Sequence, residues 1–139
     1  MPTKGPIVVI DDDQDDQEMI ERVLKRLDPD LQVKKFLDGE DALHYLQHEK
    51  EQPFLIICDI NMPIMNGLEL KKHIEASEFL SRKSIPFVFL TTTSNLDQVK
   101  QAYQLKAQGF FSKGQTFDEL KASLHQIIHY WTASKHPNM

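Results

Sequence analysis

The sequence predicts an α/β fold, a doubly wound parallel sheet of five strands with helices on both faces. Three observations carry this. Strand-like and helix-like segments alternate along the chain, the order expected of repeated βα units. Residues 53–58, Pro-Phe-Leu-Ile-Ile-Cys, form an apolar run without polar alternation, as a strand buried on both faces requires. Asp59 closes that run and Met62-Pro63 follows, so a carboxylate stands at the carboxyl end of a central strand, where open α/β sheets bind their ligands.

The elements follow in order. Residues 7–10 read as a buried strand, and a carboxylate-rich turn comes next. Ile20, Val23, Leu24 and Leu27 recur at helical spacing before Asp28-Pro29 ends the helix. Asp13, Asp15 and Asp16 suit the positive end of its dipole. Residues 31–36 form a second strand, and Asp38-Gly39-Glu40-Asp41 opens a helix with Ala42, Tyr45 and Leu46 inward. After the Asp59 strand, Asn66-Gly67-Leu68-Glu69 is a capping box for a third helix to about Ala76. Residues 77–84 are expected to be a polar connection. Residues 86–90 make the fourth strand and run into Thr91-Thr92-Thr93. Asn95 and Gln98 cap a fourth helix with Leu96, Val99, Ala102 and Tyr103. Residues 109–112 form a short fifth strand ending at Lys113. Thr116-Phe117-Asp118-Glu119 caps a last helix whose stripe is Phe117, Leu120, Leu124, Ile127, Ile128 and Trp131. Right-handed crossovers then place helices on both sides of the sheet.

With 139 residues, 40% of them hydrophobic, the chain is expected to form one domain over 1–139, with a core at about 5–133 and a short tail over 134–139. A net charge of −5 and no basic stripe argue against nucleic acid as a partner. The first apolar run is too short for a signal peptide or a membrane span, so no membrane is expected. A single cysteine, Cys58, makes no internal disulfide and suits a reducing cytoplasm.

Four strands end in residues with useful chemistry. They are Asp11 and Asp12 after the first, Asp59 after the third, Thr91 after the fourth and Lys113 after the fifth. The carboxyl ends of such a sheet converge on one edge, so these residues should surround one site. Each pair of carboxylates at about 4 Å repels by roughly 4 kcal/mol at an effective dielectric near 20. A divalent cation removes that cost, and an all-oxygen, incomplete protein shell points to Mg²⁺. Lys113 can pair with an anion and the Thr91 hydroxyl can donate to one, leaving Asp59 as an acceptor nucleophile for a phosphoryl group.

On these residues, together with Met62-Pro63 and Asn66-Gly67 behind Asp59, the chain resembles a two-component response regulator receiver domain over essentially its full length. It resembles a stand-alone receiver of the chemotaxis kind. The resemblance implies a flavodoxin-like receiver fold with strand order 2-1-3-4-5. It implies that Asp59 accepts phosphate from a sensor histidine kinase or phosphotransfer protein. It further implies that Asp12 and Asp59 ligate Mg²⁺ with the Asn61 carbonyl, that Asp11 holds a water on the metal, and that Lys113 bonds a phosphoryl oxygen. Thr91 and Phe110 would be the switch pair, and Asn61 and Thr93 would tune self-dephosphorylation. Output is expected through a downstream protein or a self-dimer on the face of the fourth helix, fifth strand and fifth helix.

Two residues depart from the family pattern. Gly114 follows Lys113 where the family usually has proline, often after a cis bond. A cis bond before a non-proline residue costs about 2.5–4 kcal/mol, so a trans bond or an altered loop is expected. Phe110 stands where tyrosine is more frequent and brings no phenolic hydroxyl.

Competing readings carry less. The acidic run from Asp11 has the Asp-x-Asp-x-Asp start of a calcium loop, but Asp16 replaces its glycine and Arg22 its last glutamate. His44/His48 and His125/His129 have metal-pair spacing, yet lie off their helices' apolar stripes without a third ligand, and read as surface histidines. Cys58 reads as inert packing. Trp131 reads as core, and one of Phe110 and Phe111 is expected to be exposed. A phosphorylation-independent interaction module with a degenerate acidic pocket is the alternative function. A haloacid dehalogenase-like phosphatase needs a general-acid aspartate two residues after the first, where Asn61 stands, so turnover of an external substrate is not expected.

Overall fold

Strands with no polar face need a helical layer on each side, and the chain provides both. The computed structural model describes residues 5–92 and 95–137. Its elements are β1 (Ile7–Ile10), α1 (Gln14–Leu27), β2 (Val33–Phe36), α2 (Gly39–His48), β3 (Leu55–Cys58), α3 (Gly67–Ala76), α4 (Glu78–Lys83), β4 (Phe87–Thr91), α5 (Leu96–Gln104), β5 (Gly109–Ser112) and α6 (Phe117–Ala133). All strand pairs are parallel, in the order β2-β1-β3-β4-β5, the order implied by the resemblance.

Side chains alternate across the pleat, which sends successive strand residues to opposite layers. Val8, Ile10, Ile56, Cys58, Phe87 and Phe89 pack with Ala42, Leu46, Leu70, Ile74, Leu80 and Ala102. Ile7, Val9, Leu55, Ile57, Val88 and Leu90 pack on the other face with Ile20, Val23, Leu24, Leu120, Leu124, Ile127 and Ile128. Each fully buried aliphatic or aromatic side chain contributes about 1.5–3 kcal/mol, so the central strands are the most firmly held part of the molecule.

Several expectations change. The polar connection over 77–84 contains α4. The Ser77 hydroxyl accepts from Leu80 N–H at 3.2 Å, Leu80 is buried in the core, and Ser84 ends the turn in a left-handed conformation. A single buried residue in six gives no periodicity, which is why the helix is invisible in the sequence. In α5 only Ala102 is fully buried, while Leu96 and Tyr103 are exposed. The Asn95 side chain accepts from the N–H groups of Asp97 and Gln98, so Gln98 is capped rather than capping. Phe110 and Phe111 are both half-buried, one in each core layer, because the edge strand is covered by α5 on one side and α6 on the other. Trp131 is half-buried against the second layer. His136, in the expected tail, is buried, stacks on Phe54 with ring centroids 4.5 Å apart, and its Nε2 lies 2.5 Å from the Phe54 carbonyl.

Candidate functional site

Register brings the site together. Ile10 lies beside Cys58, and Cys58 beside Phe89, so β1, β3 and β4 reach the carboxyl edge nearly in step. The hydrogen-bond ladder continues one residue further. Asp11 N–H donates to Phe36 O at 3.0 Å, Asp59 N–H to Ile10 O at 2.9 Å, and Lys113 N–H to Thr91 O at 2.9 Å. The backbones carrying Asp11, Asp59, Thr91 and Lys113 are therefore fixed by the sheet itself rather than by mobile loops.

The loop after Asp59 is shaped by a close approach. Gly67 N–H donates to Ile60 O at 2.9 Å, and a Cβ at Gly67 would stand 2.1 Å from the Asp59 carbonyl oxygen. Only glycine lets α3 start this close to the acidic residue. Asn66 and Glu69 form the reciprocal capping box expected there. At the other box only half is made, since the Thr116 hydroxyl accepts from Glu119 N–H while Glu119 reaches the Gln115 N–H instead.

Carboxylate oxygens of Asp11, Asp12 and Asp59 all lie within 4.8 Å of one another. The Lys113 ammonium enters this group, 2.6 Å from Asp11 Oδ2 and 3.0 Å from Asp59 Oδ2. The second oxygen of each buried acid is also engaged: Asp59 Oδ1 accepts from Ile60 N–H at 2.7 Å, and Asp11 Oδ1 from Asp13 N–H at 3.0 Å. Asp11, Asp59 and Lys113 are buried, whereas Asp12 is exposed. Burial pushes the Asp11 carboxyl up to about 6, against the opposing pull of Lys113 and of the Asp13 N–H. Burial works to lower the Lys113 ammonium, but its hydrogen bonds to Asp11 and Asp16 and the nearby charges of Asp11 and Asp59 outweigh this and raise it. Lys113 is therefore held charged. Burial also pushes the Cys58 thiol well up, consistent with inert packing beside Asp59.

The donor set suits a hard divalent cation. Three carboxylates are all oxygen, close together, and open on the exposed Asp12 side, which leaves positions for water and a shared anion as Mg²⁺ prefers. Thr91 is fully buried at the end of β4. Phe110 leans on Phe89 with centroids 6.0 Å apart. Asn61 is exposed in the loop beyond Asp59, and Thr93 lies outside the described residues. Among the described residues no peptide bond is cis, and Gly114 follows Lys113 with φ +71°. Of the histidine pairs, His44 and His48 stack at 4.3 Å on the surface and His48 Nδ1 is engaged by the His44 carbonyl, while His125 and His129 are exposed.

One residue was missed. Asp16 Oδ2 lies 2.8 Å from Lys113 Nζ, although the sequence marks it only as an acid in a first helical turn. Its one signal is that it stands a single turn beyond Asp12, close to the same strand end.

The family described as the response regulator receiver domain matches residues 7–125. The chain is 30% identical over 129 residues to the probable methanogenesis regulatory protein FilR2 of Methanothrix harundinacea, covering 90% of this chain and 82% of that one. It is 30% identical over 130 residues to the response regulator Rcp1 of Synechocystis, covering 90% and 87%. The Mn²⁺-bound structure of Rcp1 superposes with a TM-score of 0.84 at 28% identity, over 96% of this chain and 97% of that one. The phosphorylated cyanobacterial phytochrome response regulator RcpA superposes with a TM-score of 0.89 at 27% identity, over 98% and 99%.

Proposed function

This chain belongs to the response regulator receiver domain family, and from that premise we propose that it is a phosphorylation-controlled switch that takes a phosphoryl group on Asp59. Receiver domains are signalling modules rather than substrate-turning enzymes, and they partner histidine kinases. The observation that carries the reading is the gathering of Asp11, Asp12 and Asp59 within 4.8 Å around the charged Lys113. The Mn²⁺ bound to Rcp1 and the phosphorylated state of RcpA support it.

An oxygen of Asp59 forms a bond to phosphorus as the bond from phosphorus to the donor's imidazole nitrogen breaks, and the electron pair leaves with the imidazole. The Ile60 N–H holds one Asp59 oxygen at 2.7 Å and so orients the carboxylate. Asp12, Asp59 and the Asn61 carbonyl would hold Mg²⁺, and Asp11 would hold a water of its shell. When bound, Mg²⁺ offsets the charge shared by the acids and the incoming phosphoryl group. Lys113 binds one phosphoryl oxygen and the Thr91 hydroxyl another. The new group carries about −1.5 to −2 charges, and it shifts the population only by binding better in one arrangement of the β4 and β5 ends. Thr91 and Phe110 would report that change to the α5–β5–α6 face, where a downstream protein or a second copy would read it. Thr93 and Asn61 would set how long the group lasts. No helix among the described residues is long and apolar enough to cross a membrane.

Incubation with acetyl phosphate and Mg²⁺ followed by intact mass tests the reading. Wild type should gain one phosphoryl group and Asp59→Asn none; no adduct on wild type, or an equal one on Asp59→Asn, refutes it. The interaction-module alternative predicts no better Mg²⁺ binding than in Asp12→Ala.

A further inference from the structure

An ammonium has three N–H donors, and Lys113 directs them at three carboxylates: Asp11 at 2.6 Å, Asp16 at 2.8 Å and Asp59 at 3.0 Å. Two of the three, Asp11 and Asp59, belong to the group that could hold a cation, and Asp16 does not. A divalent cation there would draw the shared oxygens away from Lys113 and repel the ammonium. Phosphorylation of Asp59 then converts a second partner into the bridging oxygen of an acyl phosphate. Asp16 is the carboxylate left over.

We propose that Asp16 is a positioning residue that keeps the Lys113 ammonium over the phosphoryl position when a cation and a phosphoryl group share the pocket. This rests on reading Asp59 as the acceptor. Asp16 is well placed for it. Its backbone N–H is capped by Asp13 Oδ1 at 3.2 Å, which fixes the first turn of α1. That helix carries no member of the cation-holding group, so the Asp16 carboxylate is left to the lysine when the cation is bound. Asp16 is only partly exposed, 24% against 7% for Lys113, so the pair is shielded from most screening. On the lysine side, Gly114 follows with φ +71°, and no ring restrains the backbone there. The tether to α1 supplies that restraint from outside the loop.

The test is phosphorylation by acetyl phosphate at saturating Mg²⁺, with Mg²⁺ affinity measured separately by calorimetry. Loss of one charge-assisted hydrogen bond at the reacting group should lower the maximal rate of Asp16→Ala by about three- to tenfold, with a smaller change in the half-saturating donor concentration. Asp16→Glu should restore the rate to within about twofold, since a charged acceptor is retained. In a Lys113→Ala background, Asp16→Ala should have no further effect. In EDTA, urea unfolding of the two single variants and the double variant should be non-additive, because Asp16 then acts through Lys113. A phosphorylated wild type with an unaffected Asp16→Ala, or the same loss in both backgrounds, overturns the positioning role alone. A wild type that takes no phosphate overturns the acceptor reading, and the positioning role with it.

Discussion

Lys113 Nζ and Asp59 Oδ2 stand 3.0 Å apart although 54 positions separate them in the chain. Both are buried, and the lysine is the counter-charge that lets Asp11 and Asp59 coexist in a site with little water. Removing it leaves charges buried without a partner. Lys113→Ala is expected to cost about 2–4 kcal/mol of stability in EDTA, and Mg²⁺ should recover most of that by taking over the same oxygens. Urea denaturation with and without Mg²⁺ reads the difference; an equal loss in both conditions contradicts the idea.

Asp11 sets a pH dependence. Burial lifts its carboxyl from an ordinary 3.8 to about 6, so between those values the native state binds more protons than the unfolded chain. The associated stability is present below pH 3.8 and lost as the pH rises through 6. Asp11→Asn should therefore be more stable than wild type by about 1–3 kcal/mol at pH 7.5 in EDTA, with little advantage near pH 4. A bound cation must displace the same proton. Apparent Mg²⁺ affinity should fall as the pH drops below 6, and a flat profile in calorimetric titrations from pH 5 to 7.5 counts against the assignment.

Ile64 is strained and exposed. A β-branched residue with φ +67° sits in a left-handed conformation that costs roughly 1–2 kcal/mol for residues with a Cβ, and it is 75% exposed, so no burial offsets the strain. Ile64→Asn, with a residue that tolerates this region, should raise stability by about 1 kcal/mol and the thermal midpoint by about 3 °C. An unchanged or lower midpoint in differential scanning calorimetry disproves the strain.

Gly114 cannot be exchanged for the family's proline without rebuilding the loop. Its φ of +71° is closed to proline, whose ring holds φ near about −65°. Even a Cβ there would stand 2.3 Å from Glu119 Cβ. Gly114→Ala should cost about 1–3 kcal/mol, and Gly114→Pro about 3 kcal/mol or more, in urea denaturation. Lys113 should be displaced in each, so Mg²⁺ should recover part of the loss, as it does for Lys113→Ala. Retention of wild-type stability by Gly114→Pro is the contrary result.

Much of the architecture is written in local pattern. The apolar strands, the Asn66–Glu69 box and the acidic strand ends are properties of short windows, and they need no knowledge of distant residues. The failures share a cause. The α4 turn has one core residue, Leu80, and its stability comes from Ser77 and from packing rather than periodicity. Leu96 and Tyr103 look inward by spacing, but α5 buries only a narrow strip against β5, and the residues around it stay in solvent. His136 falls in the short tail by sequence because nothing near it shows that Phe54 lies beneath it.

By itself the sequence determined the fold class and the residues at each strand end, because burial on two faces leaves a chain few ways to pair its strands. Only the tertiary structure decided which carboxylates Lys113 meets, that Asp16 is among them, and how Gly114 turns the chain beyond it. Those outcomes depend on distances of a few ångströms between residues far apart in the chain, and electrostatic partnership at that range is set by packing rather than by sequence pattern.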